Sequence, residues 1–385
     1  MSAVTPAKAL TPAPSPASPS TARALNDRLA LGLLQEEGPL TATQLKEMTG
    51  LSRPSVADLV ERLTEAGLIE VVGESGAQRR GPNARLYGIV AARAYLAALD
   101  VRTDSATAVI ADLLGRPLAR AALPVDAVEE AVDRLEALAG EAGADRLHTV
   151  VVGAPGMVAP DSGVLEDTSG LPAWHRDLVA ALRRRLPAEV VVENETNLAA
   201  LAEQRVGVAR ELDSFVLLWL GAGVGAAVVL DGRLRRGASG GAGEIGFLPV
   251  PGTAGLPSAT DCGGGFHALA GRAAVAALAA EHGYAGPVEE AVAGAAGEAF
   301  LDALARRLAL GAAAVAAVLD PGCVVLAGGL GRAGGPELAA RVAARLAELT
   351  PVTTAVLATT LGDPAVLTGA RLAAREAAQA TLFAP

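Results

Sequence analysis

Between residues 53 and 85 the sequence sets out side chains able to recognise a polyanion. Arg53, Ser55, Asp58 and Arg62 fall on the outward side of one helical stretch. They are small or polar groups that can reach base edges or phosphates in a DNA major groove. Arg79, Arg80 and Arg85 follow in a polar segment, and arginines on such an arm can enter a narrow minor groove, where the negative potential is enhanced. Further along, glycine-rich or polar clusters repeatedly follow short apolar runs: Gly153-Ala154-Pro155-Gly156, Glu193-Asn194-Glu195-Thr196-Asn197, Gly221-Ala222-Gly223-Val224-Gly225 and Gly328-Gly329. Groups placed just beyond the carboxyl ends of strands are what open α/β sheets use to hold ligands.

The elements that would position these groups can be read in order. Residues 1–20 are dominated by Ala, Pro, Ser and Thr, which bury too little apolar area to offset ordering entropy, so a disordered tail is expected there. Leu25, Leu29, Leu33 and Leu34 then recur at helical spacing up to Gly38-Pro39, implying a first helix with one buried face. Thr41-Ala42-Thr43-Gln44 has the capping-box pattern of a second helix, which ends where Gly50 permits a tight turn. Ser52 can cap a third, with Pro54 in its first turn and Val56, Leu59, Val60 and Leu63 buried. Strands at Leu68 to Val72 and Leu86 to Val90 flank the polar segment holding Arg79-Arg80. Residues 21–90 therefore read as a winged helix-turn-helix whose partner is double-stranded DNA. Such a module could also serve protein interaction, because a fold alone does not name its ligand.

From Ala94 onward short Ala/Val/Leu runs alternate with helical patterns, which argues for an α/β body. Strands are expected at Tyr95 to Asp100, Thr107 to Asp112, Val150 to Val152, Val190 to Val192, Phe215 to Leu220 and Cys323 to Ala327, with helices at Ala291 to Val318 and Pro336 to Leu349.

Composition narrows the function classes. A net charge of -10 argues against a surface coated for non-specific nucleic-acid binding, and aromatics at 3% leave few platforms for single-stranded RNA. Cys262 and Cys323 lie far apart, as in a reducing compartment without a disulfide framework. No apolar leader or membrane-spanning run is evident, so a cytoplasmic protein with no membrane partner is expected.

The motifs and their order, from about residue 24 onward, resemble the ROK family of bacterial repressors and sugar kinases. The stretches that carry the resemblance are GAPG at 153, LPAW at 171, VENETNLAALAE at 192, LGAGVG at 220, GRLRRGASGGAGEIG at 232 and LDPGCVVLAGGL at 319. TGLS at 49 and RRGPN at 79 are similar to the repressor branch. The resemblance implies an α/β fold in which the winged helix precedes a two-lobed, actin-like and hexokinase-like (ribonuclease H-like) domain over residues 91–385. Its lobes would lie near 91–200 and 201–370, with the C-terminal helix returning to the first. It also implies a homodimer or a dimer of dimers, whose symmetry would match a palindromic operator.

Against the family pattern, three departures bear on activity. Family kinases cradle ATP phosphates with an Asp-x-Gly-Gly-Thr loop, whereas this chain has Asp100-Val101-Arg102-Thr103-Asp104, whose side chains would fill that space. Glu195 stands at the position of the family's catalytic Asp, one methylene longer, and misplacement on that scale is costly in phosphoryl transfer. A sensor without cofactor is therefore expected rather than an enzyme, the competing reading being a kinase that passes phosphate from ATP to a sugar hydroxyl. Carried over from the family, the residues that would hold a sugar-like effector are Gly156, Asn194, Glu195 and Glu244, with His267 on a looser correspondence. Alternatively, Asn194 and Gly243-Glu244 only brace the hinge. The family's zinc site would need the His that Phe247 replaces and more thiols than Cys262, so no metal is expected.

Overall fold

The computed structural model describes residues 19–75, 84–166, 173–258, 260–362 and 364–383. Most of the tail expected over 1–20, the segment with Arg79 and Arg80, and Leu171-Pro172 of the LPAW stretch lie outside them. The chain forms two compact units: Met1–Arg93 with Gln379–Pro385, and Ala94–Ala378. The second unit thus begins at residue 94 rather than 91, and the last residues count with the first unit, where Gln379 Nε2 donates to Gln35 Oε1 at 2.7 Å.

In the first unit, α1 (Pro19–Glu36) is followed by β1 (Leu40–Thr41), α2 (Ala42–Thr49), α3 (Arg53–Glu65), β2 (Ile69–Ser75) and β3 (Ala84–Ile89). The helix begins at Pro19, inside the stretch expected to be tail. Its buried face is Ala30, Leu31 and Leu34, whereas Leu25 and Leu29 stay exposed. The expected leucine stripe is corrected at Leu25 and Leu29, while Leu34 is buried as expected.

Thr41 caps α2 in a full capping box: Gln44 N donates to Thr41 Oγ1 at 3.2 Å and Thr41 N to Gln44 Oε1 at 2.9 Å. Gly50, at φ 70°, turns the chain into α3, where the Ser52 hydroxyl accepts from Ser55 N. Val56, Leu59, Val60 and Leu63 are the buried face of α3, as their spacing requires. The sheet runs β1-β3-β2, with a bulge in β2 between Val71 and Gly73.

The second unit contains two five-stranded sheets of the same design. The first, ordered β6-β5-β4-β7-β8, comprises β4 (Tyr95–Val101), β5 (Ala106–Asp112), β6 (Pro117–Leu123), β7 (Leu147–Ala154) and β8 (Glu189–Asn194). The second, ordered β11-β10-β9-β12-β13, comprises β9 (Phe215–Leu220), β10 (Val224–Leu230), β11 (Arg233–Arg235), β12 (Cys323–Ala327) and β13 (Ala355–Ala358). In each, an antiparallel meander supplies the first three strands, and two further strands join parallel to its first member. The parallel strands are continuous apolar runs such as Val150-Val151-Val152 and Val324-Val325-Leu326, as burial on both faces demands.

Helices α4 (Val128–Glu141) and α5 (Trp174–Arg185) cover the first sheet, burying Leu135, Leu178 and Leu182 against Val150 and Val152. Next comes α6 (Glu195–Val206). The second sheet packs with α7 (His267–Ala270), α8 (Arg272–Glu281), α9 (Val288–Glu290), α10 (Glu298–Leu319) and α11 (Gly328–Leu349) around Phe266, Phe300 and Leu338. The helix expected from Ala291 is broken at Gly294 and Gly297, both at positive φ, so α10 starts at Glu298. The last helix, α12 (Ala365–Leu382), packs on α6 and β7. A Cβ on Gly369 would lie 1.9 Å from Leu198 O of α6, and Val366 packs beside Gly153 of β7. Among the described residues no helix is long and apolar enough to cross a membrane.

Candidate functional site

Parallel pairing places the ends of β4, β7 and β8 side by side, with Asp100 opposite Gly153 and Ala154 opposite Asn194. The ligand-holding rule for strand ends thus applies to residues far apart in sequence. Asn194 ends β8 and caps α6: its Oδ1 accepts from Thr196 N at 2.8 Å and Asn197 N at 3.3 Å, and its Nδ2 donates to Gly156 O at 3.0 Å. The Asn194 amide is therefore committed to bracing the Gly156 loop. Gly156 itself, at φ 102°, contributes its carbonyl to that brace.

Glu193 and Glu195 flank this cap and differ sharply. Glu193 is 8% exposed and saturated: Arg236 Nε donates to Oε2 at 2.7 Å, while Asn197 Nδ2 and Asn194 N donate to Oε1 at 2.9 and 3.0 Å. Glu195, the first residue of α6, has a buried Oε2 without a hydrogen-bond partner. Burial pushes its carboxyl up to about 8, with the nearby charges of Glu244 and Asp100 adding to the rise and Arg102 opposing it. Some of the residue's surface remains accessible, but that oxygen does not.

Glu244 arrives from the second lobe. Gly243, at φ 95°, lies so close to β10 that a Cβ there would sit 1.9 Å from Ala226 O, while Gly243 O accepts from Ala226 N at 2.8 Å. Burial raises the Glu244 carboxyl above its ordinary range as well. A cavity of about 20 Å³, enough for one water, lies between Asn194, Thr196 and Asn197 on one side and Gly225, Gly243 and Glu244 on the other. His267, at the start of α7, does not line it, although its Cβ would be 3.7 Å from a Cβ on Gly246. Among the described residues no three His, Cys, Asp or Glu side chains are grouped as metal ligands.

Sequence reasoning placed Asp100 and Arg102 only in the turn whose side chains fill the phosphate space and gave neither a role in the site. In the structure Arg102 folds back on Asp100, donating from Nε at 3.1 Å and from a terminal nitrogen at 2.9 Å to Oδ2. Asp100 is 6% exposed and its Oδ1 has no partner. His175 Nε2 sits 3.0 Å from Arg102 O, and burial lowers the imidazole's pKa, so its neutral form donates to that carbonyl. Glu193 and Arg236 also escaped notice, since only the fold brings the second lobe's Arg236 to the end of β8.

On the winged-helix unit, Arg53, Ser55 and Asp58 lie exposed along α3, and Arg85 is exposed on β3 opposite Glu74. Arg62 departs from expectation. Its guanidinium pairs with Asp27 of α1 at 2.6 Å and with Asp58, and the Asp27 bond chiefly holds its pKa above the ordinary value. Arg62 thus ties α3 to α1, because an i,i+4 acid and an acid on the neighbouring helix both lie within its reach.

The ROK family model matches residues 96–377, and the MarR family model matches residues 25–81. The chain belongs to the ROK family. Among curated proteins it is 27% identical over 241 residues to the DNA-binding transcriptional dual regulator NagC of Escherichia coli K12, covering 59% of this chain and 57% of that protein. It is 22% identical over 241 residues to the xylose repressor of Bacillus subtilis 168, covering 59% of this chain and 60% of that protein. The matched stretch spans about three fifths of the length of each of these relatives. Among solved structures, a ROK family transcriptional regulator described as a homologue of the E. coli MLC protein superposes with a TM-score of 0.75 at 21% identity, over 94% of this chain and 98% of that one. A ROK glucokinase from Streptomyces griseus in complex with glucose and AMPPNP superposes at 0.59 with 27% identity, over 73% and 99%. The likeness to the regulator includes the N-terminal unit in its coverage, whereas the likeness to the kinase covers less of this chain.

Proposed function

We propose that this ROK chain is a DNA-binding transcriptional repressor, not a kinase. Its operator affinity would change when a carbohydrate or related metabolite binds between the lobes. We further propose that it acts in the cytoplasm as a homodimer or dimer of dimers on a palindromic site. The observation that carries the reading is the turn after β4, where Arg102 N donates to Ser105 O at 2.8 Å and the Arg102 side chain closes on Asp100. A phosphate cradle needs backbone amides left open by glycine, and this turn has none. The curated relatives named as repressors and the exposed polar face of α3 support the same reading. The cavity beside Glu244 holds about one water in this conformation, and a change in the spacing of the lobes on ligand binding would couple occupancy to shape.

The test is genome-wide mapping of bound sites, followed by a mobility assay on a mapped operator at fixed salt. Arg53→Ala and the double replacement of Arg79 and Arg80 by Ala should each weaken binding. Sugar-dependent ATP turnover by the purified protein, abolished by Glu195→Ala, would overturn the proposal.

A further inference from the structure

We infer that residues 236–244 of the second lobe form a releasable clasp on the first lobe. Its contacts are the ion pair of Arg236 with Glu193 and the seat of Gly240 on Val158, and its state sets operator affinity. The inference rests on the effector reading above and names the contact through which an effector acts.

Each half of the clasp is built within its own lobe. On the first lobe, residues 157–166 double back after β7: Ala159 N donates to Val164 O at 3.0 Å and Glu166 N to Met157 O at 2.8 Å. A terminal nitrogen of Arg183 in α5 donates to Gly163 O at 3.0 Å and ties this segment down. Glu193 is fixed through Oε1 by Asn197 Nδ2 and Asn194 N, which leaves Oε2 for a partner from elsewhere. On the second lobe, Arg236 follows β11 directly, and Ala242 N donates to Arg236 O at 3.1 Å, closing the segment into a loop.

The halves meet at two points. Arg236 sets two nitrogens on Glu193 Oε2, at 2.7 and 2.6 Å. Gly240 sits at φ 81°, and a Cβ there would lie 2.1 Å from Val158 O, so the two backbones touch only because no side chain intervenes. The ion pair is asymmetric, with the Glu193 side chain 10% exposed and that of Arg236 49% exposed. Arg236 can therefore exchange its partner for water at modest cost, while Glu193 keeps its two other donors. The small cavity at the start of α6 has this loop as one wall, through Gly240, Ala242, Gly243 and Glu244. A ligand group larger than a water entering there would press on the clasp itself.

The experiment is hydrogen exchange on the full chain, read by mass spectrometry, together with a mobility assay on a mapped operator at fixed salt. Two variants open the clasp by different routes: Arg236→Ala removes the ion pair, and Gly240→Ala drives a Cβ into Val158 O. In each, amides of residues 157–166 and 236–244 should exchange about fivefold or more faster, while those of β4 and α10 keep the parent rate. Operator affinity should move in the same direction in both variants, by about threefold or more. Unchanged exchange in both segments, or acceleration spread evenly over the two lobes, would overturn the inference. Local acceleration with unaltered operator affinity would overturn it too, by leaving the clasp without a regulatory role. Should the parent chain bind no operator, the repressor reading would fall, and the exchange rates would still decide whether the clasp exists.

Discussion

Arg62 in the winged-helix unit and Arg102 in the two-lobed unit are both arginines set among carboxylates, yet their surroundings end differently. Arg62 faces Asp27 and Asp58 and binds both, in a network that is partly exposed and closed on itself. Arg102 binds one oxygen of Asp100 and leaves the other, together with Glu195 Oε2, buried and unpartnered. A closed network fixes the angle between two helices. An open one keeps unmet hydrogen-bonding capacity where a ligand can meet it, and so is expected to cost stability until something binds.

The contrast can be broken from the scaffold first. Gly243→Ala forces a Cβ to within 1.9 Å of Ala226 O at a positive φ, so denaturant unfolding should show a loss of about 3 kcal/mol or more. Unchanged stability would mean that the Glu244 loop is not held by this close approach. Next comes Glu193→Ala, which removes the acceptor of Arg236, of the Asn197 side chain and of the Asn194 backbone N–H; a loss of ~2 kcal/mol is expected. A neutral result would show that the closed network at the end of β8 contributes nothing.

The third prediction concerns pH. In the folded state the Glu195 carboxyl titrates near 8 instead of its ordinary 4.5, so between those values the native state holds more protons than the unfolded chain. Stability should therefore fall as pH rises through that window, by up to ~1.4 kcal/mol per unit from this group. Glu195→Gln should flatten the profile between about pH 6 and 7.5 by ~2 kcal/mol in total. A variant profile parallel to that of the parent would show that Glu195 is not the buried acid described. The smallest effect belongs to the closed network of the winged helix. Arg62→Ala should cost about 1 kcal/mol, because its partners are partly solvated, and a loss several times larger would place that network among buried ones.

Much of the winged helix was legible because its signals are local. The capping box of Thr41 and Gln44, the Gly50 turn and the apolar spacing of α3 involve residues within a few positions of one another. The same local logic failed for Leu25 and Leu29, since which face of α1 is buried depends on how closely its neighbours approach. It failed for Arg62 too, whose partner Asp27 lies on another helix. In the larger unit β4, β7, β8 and β9 were readable as apolar runs, while the edge strands β6, β11 and β13, short or half exposed, carry too weak a pattern to stand out.

Sequence alone determined that residues 53–63 form a capped helix with a polar outer side, that Val-rich strands end in glycine or acid, and that no glycine follows Asp100 for a phosphate to rest on. These are properties of side-chain type and short-range spacing. Tertiary structure alone decided that Asn194 braces the Gly156 loop, that Arg236 saturates Glu193, and that Glu195 shares its field with Asp100 and Glu244. Whether a carboxyl is neutralised or left open depends on which distant donors the fold carries to it and how much water it excludes, and spacing along the chain encodes neither.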